Sequence, residues 1–337
     1  MASLLGLILL SFFITAVLLV PFIDFLYKIH LKRTNEKKRI DTLNKAASIT
    51  GKLLAYKHPR PIGAGALVVA VTVVLSLWSF GMLSVQANPG ELFVLLFAMV
   101  SFALLGAYDD LRKNFNKAKE GFFGLRWRHK LFIQIFLGLV IGIYFWGFLH
   151  YDFLNVHWFG MLDVGILFVP ISAFVVVAFA NAFNITDGLD GLSSGTLLIC
   201  LLAFLILSFE LLHPALALFV AVWVGSLLAF LYFNIFHARV ELGDTGALAF
   251  GATLAVVGLL TGKALALAVI GGVFVLEAAS SLIQMISKHY TGKKIFVVSP
   301  LHLWFMYRGW EEPKVVMRFW LMGVLFAVFG LWLGVLK

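Results

Sequence analysis

Asp109 and Asp110 stand side by side at the end of an apolar run, and Lys113 follows them one helical turn later. Two adjacent carboxylates stay ionised together only beside cations, so the pair predicts basic groups or a metal close by. A second polar island runs Asn181-Ala182-Phe183-Asn184-Ile185-Thr186-Asp187-Gly188-Leu189-Asp190-Gly191-Leu192. Asn181, Asn184, Asp187 and Asp190 recur in it at intervals of three, within reach of one face across a helix end. Their amide and carboxylate oxygens offer ligands for a hard cation and hydrogen-bonding groups for a sugar or nucleobase. Gly188 and Gly191 lower the barrier to close approach by a phosphate or ring. A third island, Gly243-Asp244-Thr245-Gly246, puts Asp244 at a helix start, where a lone aspartate ordinarily caps. Asn234, which closes the preceding helix, could also merely cap. The fourth island runs from Ser299 to Arg318 and contains His302.

One chemistry draws on all four islands. Magnesium keeps several waters and takes one or two protein carboxylates together with substrate phosphates. Aspartates converging with Lys113 and Lys130 fit that habit, the ion bridging diphosphate oxygens while the lysines hold the rest. The chain has no Walker loop, no histidine-rich zinc spacing and no serine-based triad. Glu277, well inside an apolar run, is expected to pack toward a polar partner rather than to catalyse.

The elements that must position these groups are membrane helices. The chain is 62% hydrophobic and only 13% charged, with a mean hydropathy of +1.00. That composition excludes a soluble domain and predicts a polytopic, all-α membrane protein. Runs long enough to span a bilayer fall at 3–27, 63–85, 91–108, 131–149, 164–181, 193–212, 215–235, 247–261, 264–286 and 315–336. This gives about ten spans, or nine if the short run at 247–261 fails to cross. Every Lys and Arg except Lys263 and Lys337 lies in 28–62, 109–130, 236–246 or 287–318. The positive-inside rule makes those segments cytoplasmic and leaves both termini outside. All four islands then face the cytoplasm, at the ends of helices. A carboxylate costs roughly 2.5 kcal/mol or more at mid-bilayer, so that grouping calls for a function.

The net charge of +9 is mostly topology, with some affinity for anionic head groups. No soluble domain exists to turn it toward nucleic acid. The first run has no basic segment ahead of it and no cleavage site, so it is expected to be a first helix entering from outside. Residues 1–337 form one membrane domain without linker or low-complexity tail. The polar loop 28–62 is expected to be a solvated basic surface. Residues 150–163 have the alternation of a small hairpin at the membrane interface, with Tyr151, Phe153, Val156 and Trp158 on it. Cations beside aromatics between Ser287 and Pro313 suit a segment lying on head groups. Cys200, the single cysteine, sits inside a predicted helix and forms no intrachain disulfide.

From about Lys57 to Trp320 the chain resembles the polyprenyl-phosphate N-acetylhexosamine-1-phosphate transferase superfamily. It is most similar to the phospho-N-acetylmuramoyl-pentapeptide transferase branch, which makes the first lipid intermediate of peptidoglycan. The branch-specific part is Thr291-Gly292-Lys293-Lys294-Ile295-Phe296, Ser299-Pro300-Leu301-His302, and the run from Gly309-Trp310-Glu311-Glu312-Pro313 to Trp320. The resemblance implies that Asp109 is the base or orienting group for the lipid phosphate, with Asp110 beside it, and that Asp244 binds Mg2+. It implies that Asn184, Asp187 and Asp190 line the nucleotide and metal pocket. Lys113 and Lys130 would lie near the diphosphate and Asn234 near the nucleoside. His302 matches the first histidine of a triple-histidine run and joins the catalytic group.

Three positions depart from the family pattern. The triple histidine reads His302-Leu303-Trp304, an aromatic residue expected to stack on uracil is Glu241, and a Thr-Pro-Thr-Met-Gly-Gly loop is replaced by Arg60-Pro61-Ile62-Gly63-Ala64-Gly65. The implied reaction has a polyprenyl phosphate (undecaprenyl phosphate) attack the sugar-proximal phosphorus of a UDP-linked amino sugar, here the N-acetylmuramoyl pentapeptide, releasing UMP at a bacterial plasma membrane. The resemblance leaves open both direct attack and passage through an enzyme-bound phosphate, and likewise a homodimer. The sister enzymes for UDP-N-acetylglucosamine share the aspartates but not the tail. Two further readings remain: a transporter, which would line a path with midplane charges, and a catalytically retired lipid-binding relative.

Overall fold

The computed structural model describes residues 2–29, 49–51, 53–54, 56, 60–82, 88–115, 125–156, 160–211 and 213–335. They form an all-α polytopic membrane fold. In chain order the helices are α1 (Ala2–Lys28), α2 (Ala64–Met82), α3 (Pro89–Phe115), α4 (Trp127–Gly147), α5 (Phe168–Thr186), α6 (Leu192–Glu210) and α7 (Pro214–Asn234). They continue with α8 (Gly243–Leu260), α9 (Ala264–Ile270), α10 (Gly272–Thr291), α11 (Leu301–Tyr307) and α12 (Glu312–Val335). Among the described residues nine helices are long and apolar enough to cross a membrane, or ten if α9 and α10 form one broken span. The run at 247–261, short in the sequence, is a full helix, because Gly243-Asp244-Thr245-Gly246 forms its first turn.

Helices that are apolar all round belong in the middle. The apolar windows of α7 and α8 are each 89% buried, against 22% for α1 and 33% for α12. The α8 helix packs on α2, α3 and α5, which makes it the axis of the site. Glycines permit that packing. A Cβ at Gly106 of α3 would fall 2.1 Å from the Asp244 carbonyl oxygen, and one at Gly65 would fall 2.5 Å from Gly246 Cα. Where α1 and α2 pack against each other and against α7, Thr15, Thr72, Ser76 and Ser226 are fully buried. Their hydroxyls have no hydrogen-bond partner among the described residues.

The expected hairpin is present, as β1 (Phe153–Val156) and β2 (Gly160–Asp163), antiparallel with Phe153 opposite Asp163. Trp158, placed on it by the sequence, lies outside the described residues. Tyr151 anchors its base by donating to the Leu260 carbonyl at 2.8 Å.

One expected span is not straight. The run 264–286 breaks at Gly271, where α9 and α10 meet at 78°. The Phe179 ring of α5 occupies the space a Cβ at Gly271 would need, 2.6 Å from its nearest carbon. Beyond the break α10 buries Glu277, Ser280 and Gln284, while Leu282, Ile283, Met285 and Ile286 on its other side are exposed. The polar row turns to protein because lipid offers it no hydrogen bonds.

Candidate active site

The C-terminal end of α3, the start of α4 and the start of α8 bring four charged side chains together. Lys113 Nζ lies 2.7 Å from Asp244 Oδ2 and 3.1 Å from Asp109 Oδ2. Lys130 Nζ lies 2.6 Å from the same Asp244 oxygen and 3.1 Å from the same Asp109 oxygen. Two carboxylates and two ammonium groups thus form a closed, neutral square. The cations expected near the two adjacent carboxylates stand beside Asp109: Lys113 from the same helix and Lys130 from the next. Asp109 is buried, and its second oxygen accepts the Leu125 N–H at 2.8 Å.

Asp110 faces the other way. Its oxygens accept the Asp244 N–H at 3.0 Å, the Thr245 N–H at 2.9 Å and the Thr245 hydroxyl at 2.7 Å. It therefore caps α8 from a neighbouring helix, satisfying two of the N–H groups that every helix start leaves open. Asp244 itself is the capped residue rather than the cap, and its carboxylate is turned to the lysines. Gly243 fits beneath this cap with a φ of +79°; a Cβ there would sit 2.8 Å from Asp110 Oδ2.

The second island forms the end of α5 and the turn beyond it. Asn181, Asn184, Asp187 and Gly188 are half-exposed. Asn181 donates to Gln134 Oε1 at 2.8 Å, and Asn184 has no side-chain hydrogen bond among the described residues. Asp187 accepts the Ser193 hydroxyl at 2.5 Å. Asp190 breaks the sequence register. The helix stops at Thr186, so Asp190 lies past its end and points inward, buried, with Arg60 Nη1 2.5 Å from its Oδ2. Asn234 supports the same turn: its carbonyl oxygen accepts Gly191 N–H at 3.2 Å and the Ser194 hydroxyl at 2.7 Å, and its amide donates to the Val240 carbonyl at 3.1 Å.

His302, buried on α11, has its ring Nδ1 in a hydrogen bond with Glu277 Oε2 at 2.9 Å and donates its backbone N–H to Glu277 Oε1 at 3.1 Å. Glu277 has the polar partner expected of it. The other ring nitrogen faces the second island, since a Cβ at Gly188 would fall 2.6 Å from His302 Nε2.

The segment from Arg60 to Gly65 joins the two clusters. Arg60 reaches Asp190, Ile62 bridges in parallel to Glu241, and Gly65 N–H donates to the Leu242 carbonyl at 3.0 Å, one residue before the Asp244 turn. The expectation of a solvated basic surface fails at Arg60, which is buried together with its carboxylate partner; residues 30–48, 52, 55 and 57–59 of that loop lie outside the described residues. Sequence reasoning also missed Glu312, whose Oε1 accepts the Asp190 N–H at 2.6 Å and whose Oε2 bonds Tyr56. The available signal for Arg60 was its place between Pro59 and Pro61, apart from the lysine clusters.

Among the described residues no three His, Cys, Asp or Glu side chains stand close enough to hold a metal by themselves. The Asp109–Asp244 pair offers carboxylate oxygens, with the ammonium groups of Lys113 and Lys130 beside them. That set fits a hard ion that arrives with a phosphorylated substrate, which is how magnesium is usually held.

An apolar helical bundle with nine candidate spans among the described residues, and this charged square at its helix ends, is a polytopic membrane protein. The chain belongs to the glycosyl transferase family 4, whose sequence profile matches residues 92–262. A phospho-N-acetylmuramoyl-pentapeptide-transferase of Bacillus velezensis is 38% identical over 290 residues, 83% of this chain and 85% of its own. One from a Geobacillus species is 35% identical over 336 residues, 97% of both chains. One from Anoxybacillus flavithermus is 36% identical over 275 residues, 80% of this chain and 83% of its own.

Proposed function

We propose that the chain transfers phospho-N-acetylmuramoyl-pentapeptide from its UDP-linked donor to undecaprenyl phosphate. UMP is released and the first lipid intermediate of peptidoglycan is formed. The observation that carries the reading is the square of Asp109, Asp244, Lys113 and Lys130, with relatives of that name aligned over nearly the whole chain. A phosphate oxygen of the lipid forms a bond to the sugar-proximal phosphorus. The bond from that phosphorus to the bridging oxygen breaks, and UMP leaves with the oxygen.

In this scheme Lys113 and Lys130 turn from the carboxylates to the non-bridging oxygens of the diphosphate, where ammonium groups offset developing charge. Asp109, fixed by Leu125 N–H, orients the incoming lipid phosphate. Mg2+ held by Asp244, when bound, supplies further neutralisation of the diphosphate oxygens. Asp110 keeps Asp244 in place by capping α8. The half-exposed Asn184, Asp187 and Gly188 face the nucleotide side, with His302 behind them and Asn234 beneath. The basic segments 109–130 and 287–318 support the reading that this chemistry faces the cytoplasm of a bacterium from its plasma membrane.

Purified protein given UDP-N-acetylmuramoyl-pentapeptide, undecaprenyl phosphate and Mg2+ should release UMP, and chelation should stop it. Turnover of UDP-N-acetylglucosamine in its place would assign the chain to the sister activity. Nucleotide binding without turnover of either donor would mark a retired enzyme.

A further inference from the structure

Two amide side chains meet between α4 and α5. Farther into the bundle these helices touch almost backbone to backbone: a Cβ at Gly138 would fall 3.1 Å from Ala173 Cα, and one at Gly142 would fall 2.5 Å from Ser172 Oγ. Toward the charged square they make room for Gln134, fully buried one turn on from Lys130, and for Asn181, half-exposed one turn before Asn184. Asn181 Nδ2 donates to the Val177 carbonyl and to Gln134 Oε1, both at 2.8 Å. A backbone carbonyl can only accept, so it fixes which end of the Asn181 amide is nitrogen, and that in turn fixes Gln134. Gln134 Nε2 is then left buried with no partner among the described residues. An unpaired buried donor is costly, and its presence calls for a reason.

The reason lies at the other end of the pair. Asn181 Oδ1 accepts no hydrogen bond from the described residues and stays accessible. The face of α5 that carries it runs from exposed Phe174 through half-exposed Val177 and Ala178 to Asn181 and Asn184. A lipid phosphate lying along that face has its tail on the apolar residues and its head at the amides, just before the lysines. An amide oxygen needs a donor, and the only donor on a phosphate monoester is its own P–O–H. We propose that Gln134 is a positioning residue for the acceptor lipid: with the Val177 carbonyl it holds the Asn181 amide oxygen outward, where that oxygen accepts a hydrogen bond from the singly protonated phosphate. This deepens the transferase reading above. It leaves the charged phosphate oxygens free to face Lys113 and Lys130.

The test compares farnesyl phosphate with farnesyl sulfate as competitors of labelled undecaprenyl phosphate, on full-length protein in detergent without Mg2+ or nucleotide. At about pH 5, below the second phosphate pKa of about 6, both probes carry one negative charge, but only the phosphate has a proton to donate. Lys113, Lys130, Asp109, Asp244, Glu277 and His302, the charged and titratable groups around this end of α5, therefore meet the same charge in both. The unaltered protein should bind the phosphate about tenfold more tightly, the scale of one hydrogen bond. In Gln134→Leu and in Asn181→Leu that preference should shrink to within about twofold, with affinity for the UDP-sugar unchanged. Gln134→Glu, whose carboxyl still accepts from Asn181 Nδ2, should keep it. No preference in the unaltered protein, a preference that survives Gln134→Leu, or one lost in Gln134→Glu overturns the proposal. So does an equal loss of UDP-sugar binding, which marks general loosening. If UMP is released but the two probes bind alike, the proposal fails and the transferase reading stands. If the preference holds but neither UDP-sugar is turned over, the transferase reading fails and the lipid-head site stands.

Discussion

Asp244 Oδ2 accepts from two ammonium groups at once, at 2.6 and 2.7 Å. No other oxygen in the square is approached so closely by both lysines, so charge lost at this atom unbalances the most. Asp244→Asn is expected to lower UMP release by about a hundredfold to a thousandfold, the range seen when one pre-set charge-stabilising group is removed. Folding should survive, because the α8 cap comes from Asp110 and uses the Asp244 backbone rather than its side chain. A rate within about twofold of the unaltered protein would end the case for Asp244 as the metal and charge-balancing residue. At this scale the sequence was legible where partners are near in the chain. Lys113 follows Asp109 by one turn, and the requirement for cations could be read directly from two adjacent carboxylates. Arg60 was harder to read: the prolines on either side set it apart locally, but its partner lies 130 positions away.

The start of α8 depends on glycine for its depth between α2 and α3. With its Cβ position 2.1 Å from the Asp244 carbonyl oxygen, Gly106→Ala must push α3 off α8 and pull Asp109 away from Asp244. A loss of roughly 1–3 kcal/mol is expected from the overpacking, read as a lower thermal midpoint, together with a drop in turnover. Gly81→Ala on α2 is the control: nothing lies within 4 Å of its Cβ position, and the better helix former should be neutral or stabilise by up to about 1 kcal/mol. Most spans were visible as hydrophobic runs, and the alternation in 150–163 foretold the hairpin. The break at Gly271 was not visible. Hydropathy is continuous across it, and its causes are a ring from α5 and the need of Glu277 and Gln284 for protein partners. The inward turn of Asp190 was hidden for a similar reason. Intervals of three describe a helix face only while the helix lasts, and α5 ends at Thr186.

Orientation belongs to the whole molecule, and the single cysteine makes it measurable. Cys200 is fully buried, its thiol donating to the Ile270 carbonyl at 3.2 Å, so it should be silent toward a membrane-impermeant maleimide. In intact cells Lys263→Cys is expected to label and Lys293→Cys to label only after permeabilisation. The reverse pattern would place the charged square outside and remove its access to a cytoplasmic nucleotide. The seam of hydroxyls between α1, α2 and α7 offers a practical handle on the same bundle. A buried hydroxyl left without a partner costs about 1–3 kcal/mol, and an apolar group of the same shape avoids that cost. Thr72→Val should therefore raise the thermal midpoint in detergent, with activity intact; an unchanged or lower midpoint would mean that the hydroxyl is paying its way. The seam's four residues belong neither to the charged square nor to the nucleotide-side turn, although α7 reaches that turn through Asn234, so it gives protein engineers a place to harden the enzyme for biophysical work without replacing a side chain of either cluster.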